Sequence, residues 1–175
     1  MQRTVTVFYL ELNNISIQPP PVDVAGFDFR RALIPCPELN RFFYITIGKN
    51  WNWIDRVLWT NENWFDYLNR PELETWIAYL DGTPVGYMEL EIQDEQTVQI
   101  SYLGILPQFS GKGLGKATLI AGIRRSLELQ PRRIWLNTCS LDSPAALKLY
   151  QSIGFRIFKE ETLMREFPDT YPVLL

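Results

Sequence analysis

The stretch TVQISYLGILPQFSGKGLGKATLIAGIRRSL, residues Thr97–Leu127, decides the fold. Thr97 to Ile105 is rich in β-branched and aromatic residues and reads as a strand that stops at Pro107. Gly111, Gly113 and Gly115 follow at alternate positions. Apolar residues then recur at helical spacing through Leu114, Thr118, Ala121 and Ile123. Strand, glycine loop and helix in this order expose several backbone N–H groups at the positive end of a helix dipole. Glycines leave no Cβ in the way, so the segment suits a phosphate or pyrophosphate.

Two common phosphate motifs do not fit. The P-loop requires Gly-x4-Gly-Lys followed by Ser or Thr, but Gly115-Lys116 is followed by Ala117, and Ser110 stands at the first glycine position. The dinucleotide fingerprint requires a glycine where Lys116 stands. Each fails at a residue that carries the mechanism.

The segment LPQFSGKGLGKATL resembles the acetyl-CoA signature of the GNAT N-acetyltransferase superfamily, Gln/Arg-x-x-Gly-x-Gly/Ala. Gly113 and Gly115 fall on its two small positions, and Ser110 takes the Gln/Arg position. Gln108 meets the pattern in a shifted register with Gly111 and Gly113. Downstream, SPAALKLYQSIGF is similar to the family's second signature, Asn-x-x-Ala-x-x-Leu-Tyr-x-x-x-Gly-Phe. Ala146, Leu149, Tyr150, Gly154 and Phe155 match, and Ser143 replaces the Asn. The likeness covers roughly Thr75 to Glu160. It implies an α/β (α+β) acyl-CoA N-acyltransferase fold, a mixed, twisted central sheet flanked by helices. One domain over 1–175 is expected, with variable strands in 1–39 and the acetyl-CoA core in 75–160.

Composition sets limits on function. A chain of 175 residues with 46% apolar and 14% aromatic content suits a full globular core. A net charge of −3 argues against nucleic acid as the main partner and suits an amine-bearing one. The sequence has no histidine, and Cys36 and Cys139 do not have metal spacing, so no metal is expected. The two cysteines read as free thiols of a cytoplasmic protein. No apolar run approaches the roughly 20 residues that span a bilayer, so no membrane association is expected.

Outside the core, Arg3–Leu12 alternates as a strand, Gln18–Pro21 reads as a surface connection, and Phe27–Ile34 as a second strand. The span Asn40–Leu68 is unusually aromatic. Asn50–Leu58 is expected to be a helix, and Thr60 to cap another that runs to Leu68. Trp76–Leu80 and Val85–Ile92 form a hairpin around Asp81-Gly82. Alternation places Val85, Tyr87, Glu89 and Glu91 on one face. Further strands are expected at Arg133–Thr138 and Arg156–Glu160, with a helix at Ala145–Ser152 capped by Ser143. The aromatic surplus also leaves room for a homodimer interface.

Acetyl transfer to an amine needs a neutral nucleophile, oxyanion stabilisation and protonation of the leaving thiolate. The resemblance implies acetyl-CoA as co-substrate, attacked directly by a small-molecule or protein amine. It assigns the cofactor to Leu103, Gly104 and Ile105 at the strand end, and to Gly111, Lys112, Gly113, Leu114, Gly115, Lys116 and Ala117 in the loop. Ser143 and Ala146 of the second signature complete that set. Gly104 either admits the cofactor closely or marks a β-bulge. Tyr150 matches the family's general acid, and a phenol suits a thiolate leaving group. The central strand carries no glutamate, which leaves Glu89 and Glu91 as candidate bases or amine-attracting groups. Trp51, Trp53 and Trp59 are expected as walls of the acceptor pocket, with core packing as the alternative. A second reading of the whole chain is a non-catalytic acyl-CoA-binding sensor.

Overall fold

A computed structural model describes residues 1–171. Seven strands form one sheet: β1 (Gln2–Leu12), β2 (Phe27–Ala32), β3 (Leu73–Leu80), β4 (Thr83–Gln93), β5 (Thr97–Ile105), β6 (Arg133–Cys139) and β7 (Arg156–Glu166). Their spatial order is β2-β3-β4-β5-β6-β1-β7. Among the described residues only β5 and β6 run parallel, because the helix between them carries the chain back across the sheet. Helices α1 (Pro37–Gly48) and α2 (Asn61–Leu68) cover one face, and α3 (Leu114–Glu128) and α4 (Ala146–Ile153) the other.

The main core lies under α3 and α4. Leu119, Ile120 and Ile123 of α3 and Ile153 of α4 meet Met88, Leu90, Val98, Ile100, Ile134 and Leu136 of the sheet. On the opposite face Phe43 and Ile47 of α1 pack on Ile77 and Tyr87, and Phe43 stacks on Tyr87 at 5.2 Å. Among the described residues no helix is long and apolar enough to cross a membrane.

Several expectations are corrected. The helix expected at Asn50–Leu58 is instead a series of turns, in which Asn52 has a positive φ. The preceding helix is α1, which begins at Pro37; Asn40, Phe43, Tyr44 and Ile47 repeat at helical spacing on its buried face. Ser143 does not cap α4; that helix starts three residues later, and Ser143 Oγ accepts only from the Ala145 amide at 3.3 Å. Val85 leaves the face of Tyr87 and Glu89 and joins Leu114 on the α3 side, because the ladder shifts register beside it. β1 lies between β6 and β7 and pairs with both, burying Val5, Val7, Leu10 and Leu12. Thr60 does cap α2, with a reciprocal Asn63 bond. Cys36 and Cys139 are both free thiols.

Candidate active site

The site begins where two parallel strands part. β5 and β6 pair only from Thr97–Arg133 to Ile100–Leu136, although β5 continues to Ile105 and β6 to Cys139. The register of β5 against β4 also shifts at this point, so Ser101 is an extra residue between the pairs Leu90–Ile100 and Glu89–Tyr102. The bulge is therefore at Ser101, not at Gly104. Beyond it the amide of Leu106 donates to Val85 of β4 at 2.8 Å. Strand alternation then turns the backbone groups of Leu103 and Ile105 toward the open edge.

Two cavities open on this split. The first, about 440 Å³, lies toward the turns after α1 and is lined by Trp51, Trp53, Arg56, Tyr67, Glu91, Ser101, Tyr102, Thr138 and Cys139, among others. The second, about 240 Å³, lies between the glycine loop and α4. Trp51, Leu103, Asp142 and Tyr150 line both, so the cavities meet through the parted strands.

The second cavity gathers Leu103, Gly104, Ile105, Gly111, Gly113, Leu114, Gly115, Ser143 and Ala146. Gly111 and Gly113 have φ of +79° and +75°, a region that strains other residues. Gly115 has no such need. A Cβ there would meet nothing within 4 Å, and a helical glycine costs about 1 kcal/mol relative to alanine. Its bareness keeps the cavity wall open. Helix α3 has no side-chain N-cap, and its first internal bond runs from the Ala117 amide to Gly113. The amides of Leu114, Gly115 and Lys116 thus lack intrahelical acceptors. Lys112 and Lys116 are exposed outside the cavity lining, and Ala117 is buried in the core.

Gly104 has a packing role. A Cβ there would come within 2.6 Å of Ile47 Cγ2 and 3.1 Å of Trp53 Cη2. One at Gly48 would come within 2.6 Å of Trp53 Cβ. Two glycines thus make room for Trp53, which packs edge-on to Tyr102 at 4.9 Å. Trp51 and Trp53 line the first cavity, whereas Trp59 does not. Trp59 instead packs against Trp64 and Tyr67.

Beside the first cavity, the guanidinium of Arg56 sits among aromatic rings, 4.0 Å from the centroid of Tyr67, 4.3 Å from Tyr102 and 4.8 Å from Trp59. Its Nη1 donates to Glu89 Oε2 at 2.8 Å, and the Tyr67 hydroxyl donates to the same oxygen at 2.8 Å. Asn40 Nδ2 donates to Glu89 Oε1 at 3.1 Å. Glu89 is wholly buried and does not line the cleft. Burial pushes the Tyr102 phenol up to about 12, with the Arg56 charge opposing the rise. Glu91 reaches the first cavity but pairs with Arg70 Nη1 at 2.8 Å.

Tyr150 is 7% exposed and lies where the cavities join. Burial, reinforced by the Asp142 charge, pushes its phenol well above the ordinary range, so the hydroxyl holds its proton. Asp142 is the site residue that the sequence reading overlooked. Its place beside Ser143 in the run Asp142-Ser143-Pro144 is the one sequence signal available. Thr138 Oγ1 donates to its Oδ2 and the Ser143 amide to its Oδ1, both at 2.8 Å. Burial raises the Asp142 carboxyl above the usual range despite these bonds.

Comparison with known proteins agrees with this architecture. A family model described as the acetyltransferase (GNAT) family matches residues 35–155. N-acetylaspartate synthetase of Rattus norvegicus is 32% identical over 91 residues, 51% of this chain and 30% of the relative. Mycothiol acetyltransferase of Mycolicibacterium smegmatis is 30% identical over 101 residues, 56% of this chain and 33% of the relative. The chain thus matches about a third of the length of these two curated relatives. Among solved structures, a GCN5-related N-acetyltransferase from Sphaerobacter thermophilus has a TM-score of 0.66 at 18% identity, covering 96% of this chain and 54% of that one. An aminoglycoside acetyltransferase from an uncultured soil metagenomic sample, in complex with sisomicin, has a TM-score of 0.62 at 15% identity, covering 86% and 97%.

Proposed function

The chain belongs to the GNAT acetyltransferase family, and we propose that it transfers an acetyl group from acetyl-CoA to a primary amine of a small molecule or protein, by direct attack in a ternary complex. The observation that carries this reading is the meeting of two cavities at the parted β5 and β6, with Tyr150 at the junction. One cavity offers the glycine loop and the spare amides of α3; the other has an aromatic and polar wall for an acceptor.

The lining of the second cavity is compatible with the pyrophosphate and pantetheine portion of acetyl-CoA. The bare Gly115 and uncapped α3 suit the pyrophosphate, Lys112 and Lys116 add positive charge nearby, and the open edge at Leu103 and Ile105 suits the amides of the pantetheine arm. Bound acetyl-CoA supplies the activated acyl group. Tyr150 contributes the proton that the leaving sulfur takes up; its raised pKa keeps the hydroxyl protonated until the thiolate forms, at the cost of weaker acidity. Glu89 holds Arg56 and Tyr67 in place and so keeps the acceptor wall rigid. The names of the relatives support an amine acceptor in general, and fold does not choose among acceptors.

Calorimetric titration of acetyl-CoA, with dephospho-CoA and NAD as controls, tests this reading. Saturable binding that weakens about tenfold or more in Gly115→Val is expected, since the added side chain fills the cradle. Thiol release with a primary amine should accompany it. A folded protein that does not bind acetyl-CoA would overturn the assignment.

A further inference from the structure

Five side chains lining the first cavity ionise as acids or arginines: Asp55, Arg56, Glu91, Asp142 and Arg165. Four of them have partners. Arg56 pairs with Glu89, Glu91 with Arg70, and Arg165 with Asp55 at 3.4 Å. Asp142 pairs with no cation among the described residues, and its neighbours supply only a hydroxyl and an amide. A carboxylate offers about four acceptor sites, of which these occupy two. The group is also fixed in place, because its backbone amide donates to the Cys139 carbonyl at 3.0 Å while both oxygens are held. It lines the acceptor cavity and the cofactor cavity at once, beside Tyr150.

We propose that Asp142 is the carboxylate that receives the ammonium of the acceptor and takes its first proton. The cavity's remaining charge is cancelled in pairs, so a cationic ligand is drawn to one point, and that point adjoins the thioester end of the second cavity. Asp142 takes one proton from R-NH3⁺ and leaves a neutral amine, whose nitrogen forms the C–N bond as the C–S bond breaks. Tyr150 gives its hydroxyl proton to the sulfur. The nitrogen loses its second proton as the amide forms, and this proton restores Tyr150 through solvent, while Asp142 releases its own to water. One proton per turnover leaves, and no oxidant or further reactant is needed. This assignment rests on the acetyltransferase reading, but its test has a binding arm that does not.

Titration of benzylammonium, with neutral benzyl alcohol as control, can be followed by the fluorescence of Trp51 and Trp53 in the cavity wall. The wild-type protein should prefer the cation, and Asp142→Asn should lose that preference by about tenfold or more while still binding the neutral alcohol. Acidification should erase the wild-type preference while the amine stays charged. Among the charged or titratable groups that line the cavity with Asp142 are Asp55, Arg56, Glu91, Cys139, Tyr150 and Arg165; Asp55 is paired with Arg165 and Glu91 with Arg70, and the comparison with Asp142→Asn isolates the part that belongs to Asp142. The acid dependence should be absent from Asp142→Asn. Should Asp142→Asn fail to fold, Asp142→Ala serves in its place, with the same loss of cation preference and of acid dependence expected. In thiol release with acetyl-CoA and benzylamine, Asp142→Asn should lose roughly 100-fold in kcat/KM together with the acid limb of the pH profile. A wild type that does not prefer the ammonium, or an Asp142→Asn protein that keeps the preference, would overturn the assignment. Cation preference without any thiol release would overturn the acetyltransferase reading and keep Asp142 as an ammonium site.

Discussion

Glu89, wholly buried, and Asp142, partly buried, lie near the same cleft and have opposite surroundings. Glu89 has a guanidinium, a phenol and an amide on its two oxygens, and the guanidinium is itself enclosed by aromatic rings. Asp142 has a hydroxyl and a backbone amide and, among the described residues, no cation. A buried charge with a full set of partners is satisfied by the fold and has little capacity left for a ligand. One held in place but unpaired is costly to the fold and available to a ligand. The contrast separates the block that packs beside the first cavity from the junction to which we assign the chemistry.

The contrast can be broken from either side. The largest effect should come from Glu89→Gln, which leaves Arg56 buried without a counter-charge; loss of one partner of a buried pair costs about 3–5 kcal/mol. Denaturant unfolding would measure it, and a loss below about 1 kcal/mol would mean that the rings and Tyr67 suffice to hold Arg56. Asp142→Asn should act weakly and in the opposite sense. A carboxyl whose pKa is raised on folding contributes stability in acid, below its unfolded pKa, and that contribution is lost as pH rises through the folded value. The variant should therefore gain thermal stability relative to wild type as pH rises from the acid range to neutrality. A gap between the two proteins that does not change with pH would contradict the burial of an unpaired charge.

Sequence carried the core of the fold well, because its signals there are local. Pro107 ends β5, the positive-φ glycines mark the loop, and Gly154 with φ of +114° ends α4. Asn50–Leu58 misled because tryptophans and apolar residues at mixed spacing imitate a helix. In space they fold as turns that bring Trp53 between Gly48 and Gly104. The position of β1 between β6 and β7 depends on pairing across more than 120 residues, which no local pattern encodes. The glycine loop as a cavity wall was legible, but the partners of Glu89 and the isolation of Asp142 were not. Arg56, Tyr67 and Asn40 meet Glu89 only after α1 and α2 dock on the sheet.

We assign the Tyr150 hydroxyl, at the meeting of the two cavities, to the leaving thiol. Tyr150→Phe tests this assignment most directly, because the ring keeps its contact with Phe155 and only the hydroxyl is lost. Thiol release should fall roughly 100-fold or more, with acetyl-CoA affinity unchanged. A variant that turns over as fast as wild type would show that the junction is packing and that the proton comes from elsewhere.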